Sequence, residues 1–166
     1  MVVTLPMALV AMGSVLAACG SSNQTLTPTT TVPVSPAKVH YIHAADRICR
    51  VANRSQTVLA ARISELGDAS QPDYRVLSGL LSSAVRAERP VLVKLRALPM
   101  PTGDRAKLTE IWNAAEDGIL IDARTAKALA EHDPKAIQAT QHEGASIHAT
   151  YQNLAQAYGF EYCGAA

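Results

Sequence analysis

From Lys38 onward, apolar residues return every three or four positions, and they do so in four separate runs. The first run carries Ala45, Ile48, Cys49, Ala52, Leu59, Ile63 and Leu66, while Arg47, Arg50, Arg54, Arg62 and Glu65 mostly fall off that stripe. Gly67 provides a stop, and Asp68 to Pro72 reads as a loop. The second run holds Leu77, Leu80, Leu81, Ala84, Val91, Leu92, Leu95 and Leu98. Pro90 lies inside it and predicts a kink or a break, because proline lacks a donor and clashes with the preceding turn. Pro99-Met100-Pro101-Thr102-Gly103 ends this segment. The third run has Leu108, Ile111, Trp112, Ala115, Ile119, Ala123, Ala126, Leu129 and Ala130. Asp133-Pro134 then reads as an N-cap and first helical position. The fourth run continues through Ile137, Thr140, Gly144, Ile147, Tyr151, Leu154 and Tyr158, with Gly159 as the stop. Four amphipathic helices with short connections predict an all-α fold, an antiparallel four-helix bundle of up-down-up-down topology.

The chain before Lys38 follows a different pattern: every Lys, Arg, Asp and Glu lies after residue 37. Residues 1–18 are mostly aliphatic, too short to span a bilayer comfortably, and end in Leu16-Ala17-Ala18 before Cys19. That four-residue stretch resembles the lipobox of bacterial lipoproteins. The resemblance implies diacylglyceryl transfer to the Cys19 sulfur, cleavage before Cys19 and anchoring by the lipid. Two acyl chains suffice for stable anchoring where one does not. Signal segments open with a positive charge, and Met1 to Leu16 has none. The true start therefore lies upstream, or the signal is atypical; an uncleaved apolar anchor is the competing reading. Residues 19–37, rich in Ser, Thr and Pro, read as a disordered tether. Its 18 residues after Cys19 reach roughly 25 to 50 Å from the bilayer. Thr-rich tethers carry sugars in some bacteria, but a plain spacer is the simpler reading. The helical domain occupies 38–166.

Composition adds three constraints. The 15 basic residues against 14 acidic ones leave no net field, which argues against nucleic acid as a partner. Aromatics make up only 4%, so the core must be aliphatic and Ala-rich. With Cys19 assigned to lipidation, Cys49 and Cys163 remain as a pair near the two ends of the folded region. In an exported protein such a pair reads as a disulfide; in a cytosolic one, two buried thiols would be the expectation. In the bundle topology, the tail after Gly159 must fold back along the first helix for the sulfurs to meet, with Phe160 and Tyr162 as its apolar anchors.

Tyr41-Ile42-His43-Ala44-Ala45-Asp46-Arg47-Ile48-Cys49 and Tyr158-Gly159-Phe160-Glu161-Tyr162-Cys163-Gly164 resemble paired signatures of small actinobacterial, mycobacterial-type envelope lipoproteins. Leu95, Leu98, Pro99 and Pro101 are similar too. The resemblance implies a helical, disulfide-closed extracytoplasmic domain and carries over no activity.

Candidate chemistry is sparse. His40 and His43 share a helical face beside Asp46 and are weak metal candidates, with no ligand cluster around them. His142 and His148 diverge on a helix, and the Glu-x-x-His motifs of di-iron bundles are missing. Gly144-Ala145-Ser146 lacks the second glycine of a nucleophile elbow. Asp117 and Asp122 read as a solvated helix face, and Arg47, Arg50 and Arg54 as a solubilising line. Ala52, Ala84, Ala115, Ala126 and Gly144 permit close helix packing or leave room for an apolar ligand, which would draw on His148, Tyr151 and Tyr158. These observations point to a non-enzymatic, lipid-anchored protein of the cell membrane's extracytoplasmic face, needing no cofactor. Its bundle serves interaction or scaffolding with an envelope protein; the alternative is a carrier for lipid, haem or another small apolar ligand. A void between the helices favours the carrier, and clustered buried ionisable groups would favour an enzyme.

Overall fold

The computed structural model describes residues 35–165; the apolar segment 1–18, Cys19 and the tether through residue 34 lie outside them. Four helices follow one another: α1 (Pro36–Gly67), α2 (Tyr74–Arg96), α3 (Arg105–Glu131) and α4 (Pro134–Tyr158). They pack in chain order, α1 on α2, α2 on α3 and α3 on α4, as a four-helix bundle. Among the described residues, no helix is long and apolar enough to cross a membrane.

The boundaries follow from capping chemistry. Ser35 Oγ accepts from the Lys38 N–H at 3.2 Å, and Pro36 takes the first helical position. The helix thus starts two residues before the first charge, so Ser35, expected to belong to a tether, is its cap. Asp73 Oδ1 accepts from the N–H groups of Arg75 and Val76, both at 3.1 Å, to start α2. Asp133 does the same for α4, accepting from Lys135 and Ala136 at 3.0 Å, with Pro134 in the first turn as its sequence indicates. Asp104 opens α3 without a side-chain cap; its Oδ2 instead accepts from the Tyr158 hydroxyl at 2.9 Å. Gly159 closes α4 in the left-handed region, at φ 108°.

Two expectations need correction. Of the kink or break expected at Pro90, the break does not occur: α2 runs unbroken from Tyr74 to Arg96. Leu92 and Leu95, buried beyond the proline, hold the last turns to the core and outweigh the lost backbone bond. Ala130 is exposed, whereas Ala114, Gly118, Ile121 and Ala128 are buried in addition to the α3 stripe. The helix packs on α2 with one face and on α4 with another, so a single stripe under-reads it.

The core contains an aromatic cluster despite the low aromatic content. Trp112 is fully buried and donates through Nε1 to the Tyr41 hydroxyl at 3.0 Å. Phe160 lies 5.0 Å from the Tyr158 ring and 5.5 Å from Trp112. Tyr41 meets Tyr158 edge-on at 6.4 Å, the arrangement that ring quadrupoles favour. Burial pushes the Tyr41 and Tyr158 phenols up, and in Tyr158 the Asp104 carboxylate adds to it. A smaller apolar group of Leu77, Ala128, Leu129 and Ile137 closes the other end.

The tail after α4 behaves as a fifth element. Cys49 and Cys163 are joined by a disulfide, with Cα atoms 5.2 Å apart. Asp46 lies one turn before Cys49 and accepts from three successive backbone N–H groups, those of Glu161 (3.0 Å), Tyr162 (2.9 Å) and Cys163 (3.1 Å). Asn53 Nδ2 donates to the Tyr162 carbonyl at 3.0 Å. Positions 46, 49 and 53 share one helical face, so α1 holds the tail along two turns. Phe160 is buried as its apolar character suggests, while Tyr162 is only partly covered.

Candidate functional site

Each helix places at least one polar residue at an apolar register position. Gln56 follows Ala52 by four on α1; Glu88 follows Ala84 by four on α2. Asp122 follows Ile119 by three on α3, and His148 follows Gly144 by four on α4. Because i+3 and i+4 neighbours share a helix face, all four side chains turn inward. They surround a half-open cleft of about 200 Å³ at the centre of the bundle. Its apolar wall comes from Ala52, Val91, Leu92, Leu95, Ala115 and Ile119. The disulfide, Tyr162, Gly164 and Ala165 form the wall between α1 and α4.

His148 Nε2 is 3.1 Å from Asp122 Oδ1. That hydrogen bond is the main cause of a raised imidazole pKa; burial opposes it, and the charges of Asp122 and Glu88 assist. The other edge of the ring rests against Gly118, where an added Cβ would lie 3.3 Å from Cε1 and Nδ1. Gly118 thus sets how closely the imidazole approaches α3. Glu88 is half-buried, and burial raises its carboxyl pKa first, with the Asp122 carboxylate adding to the rise. Gln56 and His148 offset only part of that cost. Tyr151 is pushed up to about 12, chiefly by burial and then by the Glu88 charge, against a backbone hydrogen bond from Gly164.

The cleft brings together some of the residues singled out by sequence and not others. His148 and Tyr151 line it, as do Ala52 and Ala115. Tyr158 lies in the aromatic cluster instead, and Ala84, Ala126 and Gly144 serve close packing. Asp122, read as part of a solvated face, points into the cleft; Asp117 is exposed. His40, His43 and His142 are exposed, and among the described residues no three His, Cys, Asp or Glu side chains are grouped to hold a metal ion. Arg47, Arg50 and Arg54 are exposed, with the Arg50 guanidinium 5.5 Å from the Tyr162 ring centre. Glu88 and Gln56 were missed, although a carboxylate on an apolar stripe is itself a signal.

The Asp122–His148 pair could orient a proton acceptor, but the described residues that line the cleft include no Ser or Thr, and the two cysteines among them are bonded to each other. Among the described residues of the lining, the hydroxyls are the phenols of Tyr151 and Tyr162. Comparisons with protein-family models, with curated proteins and with solved structures returned no match to this chain.

Proposed function

We propose that this is a lipid-anchored protein of the extracytoplasmic face whose helical bundle binds a small ligand without transforming it. The central cleft carries this reading: all four helices contribute polar groups, Asn53 and Gln56 from α1, Glu88 from α2, Asp122 from α3 and His148 from α4, to a space walled mainly by apolar side chains, the composition of a ligand site. At about 200 Å³ the cleft falls below the usual range for drug-sized ligands. It therefore favours a compact molecule over the haem or lipid that the sequence left open. The anchor rests on the lipobox-like Leu16-Ala17-Ala18-Cys19, and the extracytoplasmic site is in keeping with the Cys49–Cys163 disulfide. The paired signatures support kinship with actinobacterial envelope lipoproteins.

Native mass spectrometry of the membrane-extracted chain tests the ligand. A small-molecule adduct is expected on the wild type and is lost in Ala115→Leu, which fills the cleft, while the disulfide stays intact. Absence of any adduct on the wild type speaks against the carrier. Cys19→Ala is expected to leave an unprocessed, unlipidated chain; unchanged processing and mass would remove the anchor from the proposal. Interaction is the second reading, favoured by an outer groove between α1 and α2 in which Val51 is 64% exposed beside Pro90 and Val91.

A further inference from the structure

The central cleft has a charge imbalance that its own residues do not correct. Asp122 and His148 form a hydrogen-bonded pair, neutral overall when the imidazole is protonated. Glu88 on α2 has no ion-pair partner among the described residues, and no Lys or Arg lines the cleft. Residues 1–37 cannot supply one by a basic side chain, since they contain neither Lys nor Arg. Half-burying an ionised carboxylate without a cation is unfavourable: the group holds a proton more readily or gains a cation from elsewhere. Burial and the Asp122 charge raise the Glu88 pKa, consistent with that cost.

The rest of the lining narrows what could supply it. The walls are mostly aliphatic, and the aromatic side chain of Tyr151 lines the same space. Aromatic rings attract cations through their negative faces. A volume of about 200 Å³ is somewhat larger than a cavity that holds benzene. A bare divalent ion is a poor fit, because no grouping of three His, Cys, Asp or Glu ligands is present among the described residues. An anion would face two carboxylates with only one imidazole to offset them.

We infer that the cleft selects a small organic cation, a protonated amine on a compact apolar body, with its ammonium on the Glu88 carboxylate and its body against Val91, Ala115 and Ile119. This rests on the ligand-binding reading above and gives it a chemical class. The cation supplies the missing partner of Glu88, and the body displaces water from the aliphatic wall. Gln56, facing Glu88 from α1, provides a neutral polar neighbour without competing as a cation.

Isothermal titration of the full-length chain with three isosteric probes, benzylamine, benzyl alcohol and benzoate, tests this. Benzylamine is expected to bind roughly ten- to a hundredfold more tightly than benzyl alcohol, and benzoate more weakly than either. Glu88→Gln should remove the benzylamine preference while leaving benzyl alcohol binding intact, which also verifies that the variant retains its cleft. Benzyl alcohol binding as tightly as benzylamine would overturn the cation and leave the cleft as a ligand site. Failure of all three probes to bind the wild type would overturn the cation inference together with the reading beneath it. A benzylamine preference that survives in Glu88→Gln would place the ammonium elsewhere and sink the assignment.

Discussion

Glu88 shows how a single residue can trade stability for a site. The folded chain holds the Glu88 proton more tightly than the unfolded chain does, so stability falls as pH rises through the carboxylate range. Glu88→Gln is therefore expected to raise the melting temperature at pH 7, with the difference from wild type shrinking as the pH falls through the raised Glu88 value and gone below about 4. Thermal unfolding across that range measures it, and equal melting temperatures at neutral pH would contradict the strained carboxylate. His148 has the opposite dependence. Its raised pKa contributes stability that is complete below the ordinary imidazole value and fades as pH rises through the folded one. Asp122→Asn should lower the His148 pKa, read from the ring proton shifts in an NMR titration. Gly164 shows a different constraint: its φ is 83°, and a Cβ there would lie 2.7 Å from the Ala155 Cβ. Only glycine suits both demands, so Gly164→Ala is expected to cost about 1–3 kcal/mol.

At the scale of elements, the tail is the unexpected part. Helix–helix packing runs in chain order, and the tail carries the link between α1 and the end of α4 through Asp46, Cys49 and Asn53. The disulfide closes a loop with a sequence separation of 114. Chain entropy for a loop that long places its contribution at about 4–5 kcal/mol as an upper estimate. Asp46→Ala removes three charge-assisted acceptor bonds and should cost on the order of 2–3 kcal/mol. Combined with Cys163→Ser, the loss should fall short of the sum, because both contacts hold the same segment. Chemical denaturation of the two single variants and the double variant reads this directly. Full additivity would mean that the tail is not one cooperative clasp. Since Tyr162, Cys163 and Gly164 also form the cleft wall, loosening the tail should weaken ligand binding as well as stability.

Over the whole molecule, the legible and illegible parts separate by the range of the interactions behind them. The four helices, the Asp133-Pro134 start and the Gly159 stop were readable because period and capping depend on residues three or four positions apart. The pairing of Cys49 with Cys163 was readable from their even number once the chain is read as exported, and the burial of Phe160 from its apolar side chain. Asp122 was not: on its own helix it looks like any solvated acid, and only His148, 26 residues away, gives it a partner. Pro90 is similar, since its local effect yields to the burial of Leu92 and Leu95, which the stripe names but cannot weigh against the lost bond. The polar layer of Gln56, Glu88, Asp122 and His148 stood in plain view as four exceptions to four stripes. What makes them one layer is the relative axial position of the helices, which no single helix encodes. The amino-acid sequence by itself determined the number of helices, where they begin and end, and which cysteines could bond, because those follow from local periodicity and pairing. Tertiary structure alone decided that four isolated polar residues share a cleft, that α3 packs on two sides and that the tail is its wall. Those outcomes depend on how faces from distant parts of the chain meet, and the free energy of burial is settled only at that meeting.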